Sequence, residues 1–98
     1  MPAGDAIGDG RKVVAASATA ERLINTRTVC SQVIITAETD NTGIISVGGS
    51  TVIGALATRR GTPLAASESV TFRFKNLRDI WLDTTVDGDG VTFTYITE

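Results

Sequence analysis

A third of the 98 residues are Thr, Val or Ile. Side chains branched at Cβ lose rotamer freedom against a preceding helical turn and sit comfortably on a pleated surface, so strands should dominate. Period-two alternation places them. Val70, Phe72 and Phe74 alternate with Thr71, Arg73 and Lys75, and Val33, Ile35 and Ala37 alternate with Gln32, Ile34 and Thr36. The same pattern recurs at Ile45 and Val47, at Ile80 and Leu82, and at Val91, Phe93 and Tyr95. Val33, Ile35, Ile45, Val47, Val70, Phe72, Phe74, Ile80, Leu82, Val91, Phe93 and Tyr95 form the expected core. With six to eight short strands and no sustained helical period, the chain is expected to be all-β: a single-domain antiparallel β-sandwich, jelly-roll-like.

Turn chemistry separates the strands. Asp40-Asn41-Thr42-Gly43 and Asp87-Gly88-Asp89-Gly90 read as hairpin turns, predicting that residues 30–37 pair with 44–48 and that 80–83 pair with 91–96. Residues 54–66 hold Gly61 and Pro63 without a period and read as a long loop. Thr19–Leu23 reads as a loop segment, and a first strand is expected over Arg11–Ser17. Pro2, Gly4, Gly8 and Gly10 make residues 1–10 a flexible N-terminal arm, leaving 11–98 as the sandwich domain.

The side-chain inventory narrows the chemistry. Histidine is absent and Cys30 is the single cysteine, so Ser-His and Cys-His nucleophiles and Cys/His zinc sites are excluded, and no intrachain disulfide can form. Cys30, between Val29 and Ser31 and close to Val33, reads as a small core residue. Nine basic against eleven acidic residues, with no basic run longer than a pair, do not build a phosphate-binding face, so nucleic acid is not an expected partner. No apolar run is long enough to span a bilayer, and residues 1–10 lack the charged and apolar regions of a secretory signal; synthesis in a cytoplasm without a membrane partner is expected.

Several constellations of polar residues have plain structural roles. Asp87 and Asp89 beside glycines could offer oxygens to a hard cation, but they lie between two strand patterns and read as a metal-free turn. Gly48-Gly49-Ser50-Thr51 lacks the lysine and helix of a phosphate loop and reads as a turn or bulge. Asp79 with Asp83, and Glu38 with Asp40, read as solvated charges rather than paired catalytic carboxylates. Neither a cofactor nor a catalytic residue is expected. Protein contacts are assigned instead to Asp5, Ile7 and Asp9 of the arm, to Arg59 and Arg60 in the loop, and to Trp81, which alternation turns away from the core.

The ordered series NTGIISVGGSTV, Gly61 and Leu64, ESVTFRFKNLRDIWLD and VDGDGVTFTYI, spanning Asn41 to Ile96, resembles the small β-sandwich structural proteins of tailed bacteriophages. The resemblance implies a virion protein rather than an enzyme, in the first place a capsid decoration or cement protein that binds the outer surface of the head shell. Its implied partners are the major capsid protein or other virion proteins, together with further copies of itself as a homo-oligomer. A fibre, neck or tail component is the alternative within that resemblance. A carbohydrate-binding module using Trp81 is the alternative from another class.

Overall fold

The computed structural model describes residues 6–97, leaving aside the side chains of Ala6, Phe74 and Lys75. Eight strands follow in chain order: β1 (Ala6–Val13), β2 (Glu21–Arg22), β3 (Val29–Ala37), β4 (Ile45–Gly48), β5 (Thr62–Leu64), β6 (Ser69–Asn76), β7 (Trp81–Thr84) and β8 (Gly90–Thr97). Short 3-10 turns at Leu56–Thr58 and Leu77–Asp79 interrupt the connections. Sheet A has the order β1-β8-β3-β6 and sheet B the order β2-β7-β4-β5, with every pairing antiparallel. This interleaving of early and late strands is the double-sheet jelly roll, so the expected fold class is the observed one.

The core lies between the sheets. Val33 and Ile35 of β3, Ile45 and Val47 of β4, Leu82 of β7, and Val91 and Phe93 of β8 are buried there, together with Ile80 just before β7. Val70, Phe72 and Tyr95 pack against them half-buried, while the Phe74 side chain lies outside those described. Cys30 is buried in the same cluster. Val14, Leu23, Leu64 and Leu77 also belong to it, although no alternation surrounds them in the sequence.

Both expected hairpins are corrected. β3 pairs with β6 and β8, not β4, and β7 pairs with β2 and β4, not β8. Asp-Gly and Asn-Thr-Gly chemistry reverses the chain, but here each reversal carries it from one sheet to the other. Only β4 and β5 are consecutive in sequence and paired. β5 itself lies inside the expected loop; its Pro63 removes an amide donor, which is tolerated because β5 is an edge strand. Thr19–Leu23 contributes the two-residue β2.

The first strand also differs from expectation. Residues 6–10, assigned to a flexible arm, are the first five residues of β1, while residues 1–5 lie outside those described. β1 pairs with β8 along its whole length, from Ala6 opposite Thr97 to Val13 opposite Gly90. Gly8 faces Tyr95 and Gly10 faces Phe93. A Cβ on Gly10 would fall 2.5 Å from Phe93 Cζ, and one on Gly8 would run into the Tyr95 ring. The glycines that look like flexibility leave room for aromatic rings to lie across the strand, a known rescue of glycine in sheets. The two rings stack with centroids 6.2 Å apart.

Gly10→Ala is therefore expected to destabilise the fold by about 1 to 3 kcal/mol through overpacking against the buried Phe93 ring. Combined with Phe93→Leu, it should cost less than the sum of the two single changes. Denaturant unfolding of the four proteins in the cycle measures that coupling.

Candidate docking surfaces

The two outer faces of the sandwich are finished differently. On sheet B, alternation sends Ser46, Gly48, Trp81 and Asp83 outward, yet Ser46 and Asp83 are almost completely buried. The connection between β4 and β5 covers them. Gly54 lies on the β7 backbone, where a Cβ would come within 3.2 Å of Asp83 and Thr84 main-chain atoms, and its amide donates to Asp83 Oδ2 at 2.7 Å. Asp83 Oδ1 accepts from the Thr84 amide at 2.9 Å. The expectation that Asp83 is a solvated charge is thus overturned: it anchors a loop. Arg59 braces the same loop by donating from Nε to the Gly54 carbonyl at 3.1 Å, and Ile53 bridges to Arg60. Gly61 closes it at φ 109°, where a Cβ would meet the Val47 carbonyl at 2.7 Å.

Trp81 faces outward on sheet B, as its alternation implies, but half-buried. Its cross-strand neighbour Arg22 places its guanidinium 4.8 Å from the ring centroid, a cation-π contact that occupies one face of the indole.

Sheet A has no comparable cover among the described residues. Its outer face presents Ile7, Asp9, Arg11 and Val13 from β1, Thr92, Thr94 and Ile96 from β8, and Gln32, Ile34 and Thr36 from β3. Thr71 and Arg73 of β6 extend it. Ile7 opposes Ile96, and Ile34 lies between Thr94 and Thr71, with Asp9, Arg11, Gln32 and Arg73 interspersed in the same cross-strand rows. Ile7 is 75% exposed beside the open Ile96, while Ile34 lies open two strands away and Val13 at the opposite end of β1. Arg11, Thr36, Glu38, Asp40 and Thr92 line an open groove at one end of this face, of about 430 Å³. Glu38 accepts from Arg11 Nε and, at 3.1 Å, from Nη2.

Of the residues assigned to protein contacts, Ile7 and Asp9 therefore share the exposed face of sheet A, whereas Arg59, Arg60 and Trp81 belong to the sheet B side, and Asp5 lies outside the described residues. The structure does not bring them into one site. Ile34 and Ile96 share that face with Ile7, and each is legible in the sequence as an apolar residue on the polar side of an alternating strand.

Asp87 and Asp89 sit at a corner where three connections meet. Asp89 Oδ2 accepts from the Gly43 amide at 2.8 Å and Oδ1 from the Thr42 amide at 3.2 Å, while Asp87 Oδ1 accepts from the Ser17 amide at 2.7 Å. Asn41 completes the stitch, exchanging hydrogen bonds with the Gly90 main chain at 2.8 and 3.0 Å. Among the described residues, no group of three His, Cys, Asp or Glu side chains is arranged to hold a metal ion. Comparison with known protein families, curated proteins and solved structures finds no match.

Three outcomes follow from this geometry. Asp83→Ala should destabilise by about 2 kcal/mol or more, because it leaves buried amides unpaired, with thermal and denaturant melts as the readout. Calcium or a chelator should leave the melting temperature unchanged, since ion binding to the native state would raise it by mass action. A third outcome concerns pH. The Arg11 guanidinium hydrogen-bonded to Glu38 holds that carboxyl below its ordinary value. The Lys12 ammonium does the same for Glu21, outweighing burial, with help from the Ala15 amide. Stabilisation from a depressed carboxyl is present above the unfolded value of about 4.3 and is lost as pH falls through the folded value. Melting temperature should drop between about pH 5 and pH 3, and a Glu21→Gln, Glu38→Gln double variant should drop less.

Proposed function

We propose that this chain is a structural protein of a bacteriophage virion, a capsid decoration or cement protein that docks on the head shell and stabilises it by binding rather than by catalysis. The observation that carries the reading is the contrast between the sandwich faces: one is thatched by its own loop, the other presents over four strands an uncovered face on which exposed aliphatic side chains stand among hydroxyl and charged ones. Exposed aliphatic residues grouped on one sheet face are what an interface with another protein requires. The jelly roll is an architecture used by capsid and lectin domains, which supports the reading by fold-level analogy alone. The buried carboxylates among the described residues, Asp83 and Asp89, are consumed in holding loops, which favours binding over chemistry.

A fibre, neck or tail position uses the same surface and differs in copy number. The carbohydrate-binding alternative needs a ring face on Trp81 for sugar stacking, and Arg22 already covers one face.

The experiment is reconstitution on purified particles lacking the protein. Added protein should bind in many copies over the shell and raise the temperature at which the particle opens. Ile34→Glu and Ile96→Glu, both on the outer face of sheet A, should keep the domain folded and reduce occupancy at least tenfold. Full occupancy by both variants would remove this face from docking, and a few copies at one vertex would place the protein at the neck or tail. An arm deletion must stop at residue 5, because removing residues 6–10 also removes most of β1.

A further inference from the structure

The 3-10 turn at the tip of the β4–β5 connection projects Leu56, which is 80% exposed, the most exposed large hydrophobic side chain among the described residues. Arg60, four residues on, is exposed and makes no ion pair with a described residue. Elsewhere on the molecule, a slot of about 160 Å³ opens between the sheets. Its walls are Gly48 and Gly49 at the end of β4, Phe72 of β6, and Asp79 and Ile80 ahead of β7. Its lining is mainly apolar, and Gly49 in that lining is exposed, with open space where a Cβ would stand. Asp79 stands exposed at the rim without an ion-pair partner among the described residues, and its chain neighbour Arg78 is not part of the lining.

We infer that the slot formed by Gly48, Gly49, Phe72 and Ile80 receives Leu56 from a second copy of this chain, with Arg60 of the incoming loop set against Asp79 at the rim. Three features match. A cavity of about 150 Å³ accommodates a benzene-sized group, so the slot has room for one leucine side chain. An apolar knob meets an apolar hole. The charges beside knob and hole are opposite, which fixes orientation and speeds encounter more than it adds affinity. Because knob and hole are different patches of one surface, the contact is head-to-tail; repeated copies close into a ring if the rotation permits, and otherwise extend as a chain. The inference needs no particle and stands apart from the shell-binding reading.

Sedimentation velocity of the purified full chain over a wide concentration range tests it. The wild-type protein should show concentration-dependent association. Leu56→Asp should raise the dissociation constant about tenfold or more, as expected for losing one buried aliphatic anchor. Gly49→Leu, which sets a bulky side chain at a lining position of the slot, should do the same. Melting curves check that both variants fold, and Leu56→Asp decides alone if Gly49→Leu does not. Arg60→Asp and Asp79→Arg should each weaken association, and the double exchange should restore it. A chain that stays monomeric throughout, or association indifferent to Leu56→Asp, would overturn the inference.

Discussion

Phe93 and Tyr95 project from β8 onto the glycines of β1, and this contact decides where the first strand runs. β8 is held on its other edge by β3, whose Val33 and Ile35 face Tyr95 and Phe93 in register. A slip of one residue would turn the buried row of β8 outward and bring its threonines inside. It would also set the rings against Asp9 and Arg11, which carry Cβ atoms where the rings need space. Register, ring packing and glycine placement are therefore one constraint, and it fixes three of the four strands of sheet A.

The connections show how so small a domain keeps its corners without disulfides. Carboxylates accept main-chain amide hydrogen bonds that loops would otherwise leave to water: Asp89 takes the turn before β4, Asp87 the chain after β1, and Asp83 the loop laid across sheet B. Each links segments distant in sequence. Hydrogen bonds to charged acceptors are stronger than neutral ones, and several acting together hold loops with few apolar side chains of their own.

How much of this was legible in the sequence depends on the kind of information. Alternation is local, so the strands around Ile35, Val47, Phe72, Leu82 and Phe93 could be read directly, and with them the inner faces. Which strand pairs with which is not local. The turn residues at Asp40–Gly43 and Asp87–Gly90 announce a reversal, and nothing nearby says whether the chain re-enters the same sheet. Glycine carries the same ambiguity, because Gly8 and Gly10 look like flexibility until the rings opposite them are known. Leu64 and Leu77 are buried by segments remote in the chain and have no repeating neighbours. On the exposed face of sheet A, Ile7 is visible in the sequence as a lone apolar residue, but its grouping with Ile96 exists only through β1–β8 pairing.

The pairing of β1 with β8 has a consequence in time. β1 and β8 bracket the described chain, β2 waits for β7, and β3 lies between β6 and β8. Apart from β4 and β5, no strand finds its neighbour until a long stretch of chain has intervened, so loop-closure entropy is spent before any ladder repays it. Such a topology belongs among slow folders, and during synthesis the first half of the chain has strands without partners. A nascent chain of this kind spends its early life as exposed, β-prone sequence, and sheet A in particular stays without its central ladder until β8 arrives to join β1 to β3.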